Sequence, residues 1–255
     1  MPVNGASPAA RICRVPNPTH LVLRDASGLD FSATKWDEGR PSSVLLVHGL
    51  LGSRSMREIV RVAEGLLDTY DVMAIDVRGH GESPGRFTWG REEWSQVAAA
   101  VAHLAPRKVF GVGFSYGGYH IARAIARGTP IERIVLVGSP VDLRVLDHFP
   151  FGPKLWRHAP AAFARGRRRM RVEWFPPGKE AALPDEELRA VKVPALVVHG
   201  ESDWLISARH ADRYMATLPA AKRLDVPRGL HGEYLVTSHG DLLVEAIRSF
   251  LDGRM

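Results

Sequence analysis

A serine fenced by glycines, an aspartate just past an apolar run and a histidine in a later loop are residue types that together can transfer an acyl group. Gly113-Phe114-Ser115-Tyr116-Gly117 has the spacing G-x-S-x-G, and it falls where an apolar run, "KVFGVGF", gives way to a helical pattern. A sharp strand-to-helix turn holds its serine in strained backbone geometry, and side chains at 113 and 117 would collide with the neighbouring strand and helix. The hydroxyl would then project above a helix N-terminus, whose free amides favour developing negative charge. A serine hydroxyl is a poor nucleophile until a base takes its proton. Two downstream residues could complete the set: Asp203 in "VVHGESDWLI" and His231 in "DVPRGLHGEY". In that arrangement neutral His231 accepts the proton of Ser115, and Asp203 holds the ring in the right tautomer.

Each position has competitors. His239 rivals His231, although "HGDLLVEAI" reads as a helix start where a histidine caps or is solvated. Glu201 is two residues from Asp203, Asp203 could cap a helix beginning near Ala208, and Asp142 follows the preceding strand and could supply the acid instead. His48 reads as a brace for its loop. His80 reads as a turn residue, with the rim of a pocket as its other reading.

These residues need a scaffold, and the chain supplies an alternation. "THLVLRDASGLDFSATKW" reads as a hairpin turning at residues 25–28. "SVLLVHG" is an apolar run suited to a strand buried on both faces, followed by a helix with Ile59, Ala63 and Leu66 on one side. "YDVMAIDV" is the next strand, and "EEWSQVAAAVAHLA" a helix with Trp94, Val97, Val101 and Leu104 directed inward. Then come "KVFGVGF", a helix from Gly117 to about Arg127, "IERIVLVGSP", "VPALVVHGE", "KRLDVP" and the helix "DLLVEAIRSFL". Strands alternating with helices predict an α/β class and a mostly parallel sheet of about eight strands. The initial hairpin argues against a closed (β/α)8 barrel.

Between residues 142 and 190 the alternation stops, and the chain turns rich in proline, aromatics and arginine. A structureless loop of that length is uncommon in one domain, so a small helical insertion is expected there. Residues 1–255 are read as one domain carrying that insertion.

Bulk properties set limits. The 255 residues can bury a core without staples, and the single cysteine, Cys13, excludes an intrachain disulfide and a cysteine-rich metal knot. No metal or cofactor is expected. The N-terminal stretch lacks the apolar centre of a signal peptide and no run reaches the length of a membrane span, which predicts a cytoplasmic protein. The formal net charge of +6 comes without a zinc spacing, an RNP-like aromatic motif or a helix-turn-helix signal, so nucleic acid is not expected as a partner. Residues 144–171 carry eight basic residues against one acid. The positive excess therefore belongs to the insertion, either as a solvated face or as an attraction for anions at an entrance.

With the glycine-fenced serine and its two partners in chain order Ser115, Asp203, His231, the sequence resembles the serine hydrolases of the α/β-hydrolase superfamily over nearly its whole length. "LLVHGLLGS" at 45–53 resembles that family's His-Gly segment after the third strand, and "DVRGHGES" at 76–83 its turn after the fourth. The resemblance implies an oxyanion hole formed by the backbone amides of Leu50 and Tyr116, and an insertion serving as a lid over a small-molecule acyl substrate. It implies hydrolysis of a carboxylic ester, with amides, peptides and thioesters as alternatives on the same triad and a non-catalytic binding protein as the alternative of another class. The basic insertion extends the expectation to anionic substrates; oligomeric state is open.

Overall fold

The computed structural model describes residues 17–142, 144, 170–173 and 178–255. Eight strands form one sheet: β1 (Thr19–Arg24), β2 (Asp30–Trp36), β3 (Ser42–Val47), β4 (Asp71–Ile75), β5 (Lys108–Phe114), β6 (Arg133–Val137), β7 (Ala195–Gly200) and β8 (Ala221–Val226). Their order across the sheet is β1-β2-β4-β3-β5-β6-β7-β8. The hairpin β1–β2 is antiparallel, β2 meets β4 antiparallel, and all remaining pairs are parallel. The expected α/β sheet is thus present, and its open edges exclude the barrel.

Six α-helices lie among the described residues: α1 (Arg57–Leu66), α2 (Trp94–Leu104), α3 (Tyr116–Ala126), α4 (Asp185–Ala190), α5 (Ala208–Thr217) and α6 (Tyr234–Leu251). Alternate residues of the central strands face opposite sides, which explains why their sequences are apolar throughout. Leu45, Val47, Met73, Ile75, Ile134 and Leu136 pack towards α2, α3, α4 and α5. Val44, Leu46, Val72, Ala74, Val135 and Val137 pack towards α1 and α6. Each fully buried aliphatic side chain contributes roughly 1.5–3 kcal/mol, so both layers hold the sheet.

The α2 face runs as expected, with Val97, Val101 and Leu104 buried and Trp94 packed half-buried at the edge of that layer, where the Arg127 guanidinium covers it 4.5 Å from the ring centroid. His239 stands, half-buried, at a kink with φ −138° and ψ 34° where two helical segments meet, so a helical segment does start there as expected; a first segment, on the apolar pair Leu235–Val236, precedes it from Tyr234.

The insertion expected at 142–190 lies mostly outside the described residues, and the described ones are tied to the rest of the chain and to one another. Leu183 N donates to Val141 O (2.8 Å) beside a bridge between Asp142 and Ala182. Between these positions in the sequence, Arg171 N donates to Gly79 O (2.7 Å) and Phe87 N to Arg171 O (2.7 Å). The guanidinium of Arg123 then gathers the returning chain, donating to Gly90 O (2.9 Å), Glu180 O (2.6 Å), Ala182 O (2.7 Å) and the Glu187 carboxylate (2.9 Å).

Candidate active site

Strand β5 places Ser115. On the side facing α3 its residues are Val109, Gly111 and Gly113, so the helix can approach closely: a Cβ at Gly113 would lie 2.3 Å from the backbone of Gly118. A Cβ at Gly117 would lie 2.1 Å from the carbonyl oxygen of Val47 in β3. Between these two glycines Ser115 adopts φ 49° and ψ −120°, a conformation strained for any residue with a side chain. Its amide donates to Val137 O of β6 (2.7 Å), which holds the turn against the sheet.

Ser115, His231 and Asp203 form one chain of hydrogen bonds. His231 Nε2 lies 2.8 Å from Ser115 Oγ, and His231 Nδ1 lies 2.8 Å from Asp203 Oδ2. A carboxylate accepts, so Nδ1 carries the ring proton and Nε2 is left free to accept from the serine hydroxyl. Asp203 does not cap α5. Its other oxygen, Oδ1, accepts from the amides of Leu205 and Ile206, both at 2.9 Å, a local turn that fixes the carboxylate after β7. All three side chains are buried. Burial pulls the His231 imidazole down, but the charge and hydrogen bond of Asp203, with the charge of Glu233 added, push it above its ordinary value.

The competitors lie elsewhere. Asp142 is engaged by Arg144 through its amide (2.9 Å), Nε (3.0 Å) and NH2 (2.7 Å). Glu201 is exposed, and half-buried His239 has its Nδ1 2.8 Å from Ser238 Oγ. His48 braces its loop, as expected: its Nε2 accepts from Val77 N (3.3 Å), so Nδ1 donates to Gly49 O (2.8 Å). His80 is not at a rim. It is 1% exposed, packed against His48 and Phe87, and burial pushes it down to about 3. With His120, also lowered by burial, it forms a neutral aromatic backing behind Tyr116.

The backbone amides of Leu50 and Tyr116 donate to no protein acceptor among the described residues. Leu50 follows Gly49, where an added Cβ would come within 2.8 Å of Ser115 Cβ, so the loop lies directly against the serine. Tyr116 opens α3. Two free amides beside a serine, a histidine and a carboxylate are the parts for stabilising a tetrahedral oxyanion.

Sequence reasoning missed several supports. Arg54 and Asp76 form a buried ion pair that joins the loop after β3 to the turn after β4, with Arg54 N donating to Asp76 Oδ1 (2.6 Å) and Glu82 N to Asp76 Oδ2 (2.9 Å). Their only signal was an acid at the carboxyl end of an apolar strand. Glu233, two residues after His231, is buried and accepts from Gly49 N at 2.5 Å. Nothing in its surroundings in the sequence marks it. No group of three or more His, Cys, Asp or Glu able to hold a metal ion occurs among the described residues, and no described helix is long and apolar enough to cross a membrane.

A family model described as the alpha/beta hydrolase fold matches residues 42–192. An uncharacterised protein of Mycobacterium tuberculosis is 28% identical over 226 residues, covering 84% of this chain and 70% of its own. A non-heme haloperoxidase of Rhodococcus erythropolis is 27% identical over 277 residues, covering 89% of this chain and 97% of its own. Among solved structures, an esterase of Pyrococcus furiosus superposes with a TM-score of 0.73 at 19% identity, covering 92% of each chain. A serine hydrolase of Cycloclasticus zankles superposes with a TM-score of 0.77 at 17% identity, covering 94% of this chain and 99% of its own. At such identities the structural likeness concerns the fold.

Proposed function

Since the chain belongs to the α/β-hydrolase fold family, we propose that it is a serine hydrolase that cleaves a carboxylic ester through an acyl-enzyme on Ser115. The observation that carries this reading is the pair of 2.8 Å contacts running from Ser115 Oγ through His231 to Asp203. Ser115 Oγ attacks the ester carbonyl as His231 Nε2 takes its proton. The carbonyl oxygen becomes an oxyanion facing the amides of Leu50 and Tyr116, and losing one donor of such a pair costs roughly 3–4 kcal/mol. His231 then returns the proton to the departing alkoxide, and Asp203 stabilises the imidazolium in between. Water, deprotonated by the same imidazole, releases the acid. The esterase and serine hydrolase among the structural relatives support the reaction class.

Within this reading, residues 142–190 are a lid on a single domain, and the substrate is a small acyl compound met in the cytoplasm. Of the eight basic residues in 144–171, two have structural duties. Arg144 pairs with Asp142, and Arg171 donates to Ser83 O (2.6 Å) and Gly85 O (3.2 Å). A preference for anionic substrates therefore rests on the other six, which lie outside the described residues.

The test is labelling by a fluorophosphonate together with a screen of p-nitrophenyl esters of increasing acyl length, beside peptide and thioester analogues. Wild type is expected to label at Ser115 and to turn over esters fastest, and Ser115→Ala to do neither. A wild-type chain that stays unlabelled and inert would leave the non-catalytic binding reading standing. Charge steering predicts that kcat/KM for a carboxylate-bearing ester alone falls between about 0.01 and 0.5 M salt.

A further inference from the structure

Glu233 is a buried carboxylate that the acyl-transfer scheme leaves without a task. It is 6% exposed and stands in the residue before α6, where Val236 N donates to Glu233 O (3.0 Å). Its side chain turns away from the helix towards the loop after β3, and Oε1 accepts from Gly49 N at 2.5 Å. The contact is close on all sides. A Cβ built at Gly49 would meet Ser115 Cβ at 2.8 Å and the two Glu233 carboxylate oxygens at 3.0 and 3.2 Å.

The next peptide along that loop is held from the other direction. Gly49 O accepts from His48 Nδ1 (2.8 Å) and from Gly52 N (3.0 Å). Because the peptide unit is planar and trans, pinning the Gly49 carbonyl aims the Leu50 N–H the opposite way. Two consecutive peptides of the loop are therefore fixed, one by Glu233 and one by His48.

We propose that Glu233 is a positioning residue of the active centre: its carboxylate sets the loop that presents the Leu50 amide. The inference rests on the acyl-transfer reading. One short segment, 231–233, then carries both the base and the support of the oxyanion loop, so the two cannot drift apart by more than two residues of chain allow. The titratable groups around His231 are Asp203 from the loop after β7, Glu233 from its own loop and His199 from β7. His199 is lowered, chiefly by burial, and also feels Asp225 and Arg223 of β8. Asp203 and Glu233 are thus the two anions acting on the base.

Glu233→Gln keeps the size and an acceptor oxygen but removes the charge; Glu233→Ala removes both. Each is measured for kcat and KM with a p-nitrophenyl ester, for the acidic limb of kcat/KM against pH, and for inhibition by phenylboronic acid, which forms a tetrahedral adduct on an activated serine. The alanine variant is expected to lose about 10- to 100-fold in both kcat and boronate affinity, as a displaced reacting group does. Its KM should change much less. The glutamine variant should keep most of its boronate affinity, and in both variants the acidic limb should move to lower pH. If both keep the wild-type limb and boronate affinity and lose only thermal stability or KM, Glu233 is structural and the proposal fails. Should the alanine variant not fold, the limb of the glutamine variant alone decides. Fluorophosphonate labelling of wild type separates the two levels. An unlabelled wild type overturns the acyl-transfer reading, whereas a labelled wild type with unshifted Glu233 variants overturns only this inference.

Discussion

Asp142 and Asp203 stand at matching places, each a few residues past the carboxyl end of neighbouring parallel strands, β6 and β7, and each all but buried at 7% and 8% exposure. Their surroundings divide them. Asp142 gives both oxygens to Arg144, two residues on, so its negative charge is answered within its own loop. Asp203 gives one oxygen to two backbone amides, which carry no full charge, and the other to His231 from a loop 28 residues on. A carboxylate satisfied by a guanidinium beside it cannot orient a distant imidazole; one held by neutral amides keeps its charge for that ring. Position after a strand therefore nominates an acid, and the partner of its second oxygen selects it.

The largest expected effect follows from that second oxygen. In Asp203→Asn the amide can donate to His231 Nδ1, which turns the ring to the wrong tautomer and leaves Nε2 unable to accept from Ser115. A fall in kcat of about 10⁴-fold is expected, with the fold intact. The pH profile sharpens the comparison. The His231 imidazole is raised in the folded protein by the charge and hydrogen bond of Asp203, which outweigh its burial, and in the proposed mechanism its neutral form is the base. In wild type, kcat/KM should therefore climb through a value above the ordinary imidazole pKa of about 6.5. The same group adds stability that is fully present below about pH 6.5 and is lost as pH rises through the raised folded value. Urea unfolding of wild type and Asp203→Asn at pH 5.5 and 8.5 reads this directly: wild type should lose more of its lead at the higher pH. An equal lead at both would separate His231 from Asp203 energetically.

Part of the centre was legible in sequence because its constraints are local. The turn at Ser115 needs small residues at 113 and 117 within five positions, and the gap at Gly113 leaves no room for a Cβ. The alternating layers were legible for a similar reason, since a strand buried on both faces has to be apolar at every position. The choice between Asp142 and Asp203 was not local. Arg144 was in view, but whether its guanidinium turns back or away is decided by tertiary structure. Glu233 shows the limit more sharply: its task is set by Gly49, 184 residues earlier in the chain. Trp94 shows what a helical period leaves open: it assigns the face correctly without saying how far the apolar layer reaches, and at that edge Arg127 supplies the cover.

The loop after β6 leads into the segment 142–190, whereas the loop after β7 meets the imidazole, and Arg123 tests that division from the structural side. Its buried guanidinium joins three carbonyls and Glu187 where the chain returns to the sheet. Arg123→Ala strands those acceptors and should destabilise by about 3 kcal/mol, the scale for losing one partner of a buried charged network. That corresponds to roughly 6–12 °C in Tm for a chain of this size. Below the new transition, fluorophosphonate labelling of Ser115 should persist. Labelling lost in step with Arg123 would mean that the anchorage of residues 180–187 and the Ser115–His231–Asp203 chain are not separable.

The smallest effect is expected at the matching acid. Arg144 is 43% exposed at its side chain, so its pair with Asp142 is screened and contributes about 1 kcal/mol or less. Burial raises the Asp142 carboxyl, but the hydrogen bonds and charge of Arg144 hold it below the usual range. Its contribution is therefore present at neutral pH and lost as the pH falls through that lowered value. Asp142→Asn removes the charge and keeps an oxygen for the Arg144 amide. It should lower stability slightly at pH 7, by an amount that vanishes in acid, and leave kcat within about twofold of wild type. The decisive comparison is with Asp203→Asn in the same ester assay. Were Asp142→Asn to lose the larger share of kcat, the imidazole would be answering to the acid after β6, and the partner of the second oxygen would not be what selects a catalytic carboxylate on this sheet.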